Sequence, residues 1–171
     1  MDEDKINKLP PDVKKQFIKY ALKLSEKKKK TKVNDDFLTF VKHVWPEFIE
    51  GRHHKEIADK FNDIANKKIK RLIINMPPRH TKSEFASFLL PAWMVGRRPN
   101  LKIIQTTHTT ELAIRFGRKA KTLMDSQEYK EVFDTRLRED SQAAGKWETQ
   151  QGGEYYAAGV GSAITGRGAD L

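Results

Sequence analysis

The spacing of apolar residues divides the chain into a helical first part and a mixed second part. Pro10 and Pro11 can open a helix, because proline is tolerated in a first helical turn. Phe17, Ala21, Leu22 and Leu24 then give that helix a narrow apolar stripe. Asp35 or Asp36 can cap the next helix, where Phe37, Phe40, Val41 and Val44 recur at helical spacing. Trp45-Pro46 ends it. Gly51 precedes a third helix with Ile57, Ala58, Phe61, Ile64 and Ala65 on one face. Lys67 and Lys68 fall in its last turn, where positive charge suits the helix dipole.

The pattern changes at Arg71. Residues Arg71 to Met76 form a short apolar run rich in branched side chains, which predicts a buried strand. The loop Pro77-Pro78-Arg79-His80-Thr81 follows, then an apolar helix from Ser83 to Met94 that Gly96 and Pro99 break. Leu101 to Thr106 reads as a second strand. Thr109 or Thr110 can cap a further helix carrying Leu112, Ala113, Phe116, Ala120 and Leu123. Strand, loop, helix, strand, helix is the α/β order, and it predicts a parallel sheet with right-handed crossovers. Residues 126–142 are polar and read as irregular. Trp147 to Thr149 and Glu154 to Ala157 can pair as a hairpin across Gln151-Gly152-Gly153. Gly159 to Gly168 reads as a flexible loop, and Ala169-Asp170-Leu171 as the start of another strand. There is no internal repeat.

Composition adds a bias in charge. Over 171 residues, 33 lysines and arginines stand against 23 acidic residues, a net charge of +10. A surplus of that size favours polyanionic partners, chiefly nucleic acid. Lys27, Lys28, Lys29 and Lys30, with Lys32, form its densest run and can contact a phosphate backbone; such runs are also common as plain solvated surface. With no cysteine, disulfides and thiolate zinc sites are excluded. No apolar run approaches the roughly 20 residues of a membrane helix. Met1 to Asp4 are acidic with no apolar stretch behind them, unlike an export signal. The expectation is a protein that is neither membrane-spanning nor secreted. Residues 1–34 read as a basic helical arm, and 35–171 as the main domain.

The sharpest chemical feature lies between the first predicted strand and its helix. Backbone N–H groups at a helix start, helped by the dipole, suit the phosphates of a nucleoside triphosphate. A lysine there can reach the terminal phosphates, and an adjacent serine can hold magnesium. Lys82 and Ser83 are adjacent at that junction. The usual glycines of G-x-x-x-x-G-K-[ST] are absent, with Met76 at the first position and Thr81 at the second. Pro77 and Pro78 stiffen the loop instead. If the second position needs positive φ, β-branched Thr81 is strained there.

The stretch from Ile69 to Ser83, Ile-Lys-Arg-Leu-Ile-Ile-Asn-Met-Pro-Pro-Arg-His-Thr-Lys-Ser, closely resembles the deviant Walker A motif of tailed-phage terminase large subunits. That loop often reads Pro-Pro-Arg-His-Gly-Lys-Ser. Upstream, Gly51-Arg52-His53-His54 with Ile57-Ala58 is similar to the segment before the family's motor core. Downstream, Pro91-Ala92-Trp93, Gly96-Arg97-Arg98-Pro99, Gly152-Gly153-Glu154-Tyr155, Gly159-Val160-Gly161 and Thr165 to Leu171 match in order. The likeness spans roughly residues 37–171.

The resemblance implies an additional-strand P-loop ATPase, here incomplete, that uses ATP and magnesium to drive double-stranded DNA into a capsid. It implies a homo-oligomeric ring on the portal protein, a small terminase subunit as partner, and work in the host cytoplasm during phage assembly. Pro78, Arg79, His80, Thr81, Lys82 and Ser83 would hold the nucleotide. Lys82 would neutralise the β- and γ-phosphates, Ser83 would ligate magnesium, and Arg79 would stabilise the γ-phosphate. Arg167 would be a trans-acting finger completing a neighbour's site, and His53 and His54 would lie near the base. The family's Walker B aspartate and catalytic glutamate are expected beyond Leu171, and a nuclease further on. Asp170 is no substitute, since it follows Gly168-Ala169 rather than an apolar strand. This chain alone is then expected to bind nucleotide without efficient hydrolysis, and to expose apolar sheet edges such as the one beside Leu101 to Thr106. Two other functions fit parts of the sequence. One is a basic nucleic-acid-binding module without nucleotide chemistry. The other is a helicase, whose coupled motifs the glycine segments do not suggest.

Overall fold

The computed structural model describes residues 10–171. Met1 to Asp4, read above as unlike an export signal, lie outside the described residues, as does the arm before Pro10. Helix α1 (Pro11–Asp35) starts at the prolines and runs 25 residues, about 37 Å at 1.5 Å per residue. It carries nine lysines against three acidic residues, and Val33 is its buried side chain. Its foot is held where the Trp93 indole N–H donates to the Val33 carbonyl (3.3 Å). Asp36 caps α2 (Phe37–Val44) by accepting from the Thr39 N–H. Helix α3 (Arg52–Ala65) buries Ile57, Ala58, Phe61 and Ala65, as its spacing predicts.

Lys67 and Lys68 do not extend α3. The Lys67 N–H donates to the Ile64 carbonyl and the Lys68 N–H to the Asp63 carbonyl, with Lys67 left-handed at φ 60°. That pair of bonds closes the helix end and turns the chain back. After the loop, a helix covers residues 82–97 in one run. Its first part is a π-helical segment (Glu84–Leu89), where the Leu90 N–H reaches the Phe85 carbonyl, and it continues as α4 (Leu90–Arg97). Proline lacks an N–H and crowds the carbonyl four residues back; the widened turns end just before Pro91. Gly96 lies inside this helix rather than breaking it. A Cβ there would come within 2.6 Å of the Phe133 ring, so the glycine serves packing.

The remaining elements are β1 (Lys102–Thr107), α5 (Thr110–Asp125), α6 (Gln127–Val132), β2 (Leu137–Ala143), β3 (Lys146–Thr149) and β4 (Glu154–Gly159). They form an α/β fold with one open four-stranded sheet of order β1-β4-β3-β2. β1 pairs parallel with β4, whereas β4–β3 and β3–β2 are antiparallel. The expected parallel sheet is therefore corrected to a mixed one, in which β1–β4 is the parallel pair. The predicted hairpin is present as β3–β4. Residues 126–142 are not irregular: Ser126 caps α6 by accepting from the Tyr129 N–H, and β2 is an edge strand, where polar residues are at home.

Residues 71–76 belong to no strand. Leu72, Ile74 and Met76 lean on the core, while Ile73 is 86 % exposed. A strand exists through its neighbours, and none lies beside this run among the described residues. A cavity of about 680 Å³ separates Leu72 and Ile74 from Ala169, Asp170 and Leu171. Those last residues, expected to start a strand, belong to none, although they bond to β1: the Asp170 N–H donates to the Lys102 carbonyl (2.8 Å) and the Ile104 N–H to the Leu171 carbonyl (3.0 Å). The core joins both halves through aromatic rings. Phe37 makes edge contacts with Phe61, Phe85 and Trp93, and Trp147 stacks on Tyr155. Among the described residues no helix is long and apolar enough to cross a membrane.

Candidate functional site

The loop at 77–81 turns through two left-handed residues that are not glycine, Arg79 (φ 65°) and Thr81 (φ 59°). Such conformations cost about 1–3 kcal/mol each and cluster at functional sites. Thr81 therefore has the positive φ that makes a β-branched residue strained. Its carbonyl accepts from the Phe85 N–H (2.9 Å), which makes Thr81 the last residue before the helix. The amides of Lys82, Ser83 and Glu84 begin that helix and have no partner within it. Residues 77–84 line a concavity of about 320 Å³.

Lys82 Nζ reaches back to the Met76 carbonyl (3.4 Å), so its charge sits over the loop. Arg79 is exposed at the tip. His80 Nδ1 donates to the Pro78 carbonyl (2.9 Å) and braces the turn. Glu84, in the first helical turn, is paired with Lys119 of α5 (2.5 Å). That pair offsets a carboxylate that would otherwise repel an anion at the helix start. The concavity thus gathers Arg79, Lys82, a seryl hydroxyl and free helix amides, a donor set that suits a phosphate chain. For magnesium, Ser83 offers one oxygen. Among the described residues no group of three or more acidic or histidine side chains gathers to hold a metal.

The start of α3 lies against this loop. The Gly51 N–H donates to His54 Nδ1 (2.8 Å), and His54 Nε2 lies 2.6 Å from Thr81 Oγ1. His54 is buried at 6 % exposure. Burial, with His53 beside it, holds its pKa below the ordinary histidine value, His80 adds to this, and Glu50 pulls the other way. The ring is therefore neutral near pH 7. His53 lies against His54 with the rings tilted at 47° (3.8 Å between centroids) and edge-on to His80 (5.7 Å). Its Nε2 is enclosed without a hydrogen-bond partner.

The fold thus brings His53, His54, His80, Thr81 and Lys82 together. Both ring nitrogens of His54 are engaged within the protein. Arg167 is elsewhere: its guanidinium lies over the Tyr156 ring (4.0 Å) with Nη1 on Glu154, at the start of β4. Asp170 is also engaged, its carboxylate accepting from the Lys102 N–H (3.0 Å). Lys27, Lys28, Lys29 and Lys30 are exposed on α1. Sequence reading missed the His54–Thr81 contact, which spans 27 positions and has no local signature, and it missed the π-helical turns. No protein family, curated protein or solved structure matches the chain.

Proposed function

We propose that residues 35–171 form a P-loop-like nucleotide-binding unit of a viral DNA-packaging ATPase of the terminase large-subunit type. The observation that carries this is the left-handed loop at Arg79 and Thr81, which delivers Lys82 and Ser83 to the start of a 16-residue helix (82–97) with open amides. A tight loop that opens a helix with its amides free is how phosphate-gripping loops are built. In this reading ATP is held through its phosphates, Lys82 neutralises the β- and γ-phosphates, and Arg79 meets the γ-phosphate. Magnesium, when bound, supplies charge neutralisation at the phosphates, with Ser83 as its protein ligand. Hydrolysis also needs a carboxylate to organise the metal and another to activate water. With Asp170 tied to Lys102, the chain by itself is proposed to bind nucleotide rather than turn it over. Double-stranded DNA, a portal protein, a small terminase subunit and a ring of copies, with Arg167 reaching a neighbour, complete the proposal.

Titration of the chain with the fluorescent analogue TNP-ATP tests it. A charge-assisted contact is worth about 1.5–3 kcal/mol, so Lys82→Ala is expected to weaken binding roughly ten- to hundredfold. Equal binding by both proteins, or none by either, refutes it.

A second reading has an observation of its own. The nine lysines of α1 project along a helix whose first twenty or so residues are largely exposed, which fits contact with a nucleic-acid backbone. It becomes the main reading if DNA binds and TNP-ATP does not.

A further inference from the structure

A threonine that precedes a helix ordinarily keeps extended backbone and turns its oxygen onto the first-turn amides. Thr81 does neither. Its φ is 59°, and its hydroxyl donates to the His80 carbonyl (2.7 Å). The direction of the His54 contact follows from the other side of the ring. The Gly51 N–H donates to Nδ1, so the single ring proton is on Nε2, and Nε2–H donates to Thr81 Oγ1 (2.6 Å).

His54 is well placed to impose this arrangement. It sits in the first turn of α3, walled by Phe48 (4.8 Å between centroids) and Phe85 (5.1 Å). Glycine at position 81 would adopt positive φ without help. Threonine without a tether would relax to extended backbone and cap the helix with its own hydroxyl. That would occupy the amides a phosphate needs.

We propose that His54 is a positioning residue for the loop: its Nε2–H holds the Thr81 hydroxyl off the helix start, preserving the left-handed turn and leaving the first-turn amides open to a phosphate group. A buried histidine thereby does what the missing glycine would otherwise do. The inference rests on reading residues 77–83 as phosphate-binding.

Two substitutions separate this role from mere capping of α3. His54→Gln keeps a donor at the Nε2 position and loses the acceptor for Gly51. His54→Asn keeps the acceptor and loses the donor to Thr81. TNP-ATP affinity and amide exchange of residues 79–84 in the free protein are measured for both, and for Thr81→Val, which deletes the hydroxyl while keeping the side chain's shape. One neutral hydrogen bond is worth a factor of about three to ten. His54→Asn and Thr81→Val are expected to weaken binding by that factor and to speed loop exchange. His54→Gln, which keeps the donor to Thr81, is expected to weaken binding and speed loop exchange less than His54→Asn does. In a Thr81→Gly background, His54→Asn should have no further effect on either readout.

The proposal is overturned if Gln and Asn at position 54 behave alike, or if the Asn effect persists when residue 81 is glycine. It is also overturned if loop exchange in His54→Asn equals that of the native chain. Loss of the phosphate-binding reading looks different, since Lys82→Ala would then leave TNP-ATP binding unchanged. Loop exchange still decides the tether in that case.

Discussion

Gly117→Ala sets two opposing effects against each other. Gly117 lies in the middle of α5, where alanine normally stabilises an exposed helix by about 1 kcal/mol. Here a Cβ would lie 2.5 Å from the Ala144 carbonyl oxygen and 2.7 Å from Cε1 of Tyr155. The first neighbour is backbone. The second is a fully buried ring stacked on Trp147 at 4.7 Å and 4°. Neither can move aside without disturbing the β2–β3 turn or that stack. Overpacking of this kind costs about 1–3 kcal/mol. Lifting α5 also stretches the bond from Trp147 Nε1–H to the Gly117 carbonyl, now 3.3 Å, and a buried donor left unpaired costs about 1–3 kcal/mol.

The cost exceeds the helical gain, and the net effect is a loss of roughly 1–5 kcal/mol. For a chain of this size that lowers the melting temperature by roughly 2–4 °C per kcal/mol. Tryptophan fluorescence during thermal and urea unfolding measures it, because Trp147 reports on the contact itself. Gly168→Ala is the control. A Cβ there has nothing within 4 Å, and the change should stay within about 0.5 kcal/mol. If Gly117→Ala melts at or above the native temperature, α5 is not seated on the hairpin as described and the steric argument fails.

Two further outcomes follow from other parts of the molecule. Asp36 accepts from the Thr39 N–H and from Asn62 Nδ2, so Asp36→Ala should cost about 1–2 kcal/mol in urea unfolding. Burial would raise the Asp36 carboxyl, but the bonds from Thr39 and Asn62, with Lys32 nearby, bring it below 3.8. A depressed folded pKa means that this stability is present above pH 3.8 and is lost as pH falls through the folded value; the alanine variant should therefore unfold with a shallower acid dependence. Replacing Lys27, Lys28, Lys29 and Lys30 with glutamine should weaken double-stranded DNA binding while TNP-ATP affinity holds. The slope of log K against log salt should fall by about 0.9 for each phosphate contact removed, and an unchanged slope would assign the lysine run to plain surface.

Much of the fold was legible because its causes are local. Pro10 and Pro11 open α1, Asp36 and Thr109 cap α2 and α5, and the apolar spacing of α3 selects its buried face. Each acts within one or two turns of its own backbone. The β3–β4 hairpin is local too, since its strands are adjacent in sequence. The same reasoning located Lys82 and Ser83 at a helix start and identified Thr81 as the residue that positive φ would strain.

Tertiary structure decided what depends on distant neighbours. An apolar run such as 71–76 can be a strand only beside another strand, and no property of its own residues supplies one. β2 reads as irregular until β3 gives its polar backbone a partner. Gly96 looks like a helix breaker until Phe133 arrives from another segment to fill the space a Cβ would need. At the candidate site, residue types and their order placed Lys82 and Ser83 at a helix start behind a loop that lacks glycine. Only the tertiary structure brings His54, 27 residues earlier, onto the Thr81 hydroxyl, because a hydrogen bond across that distance exists only once α3 and the loop are folded against each other.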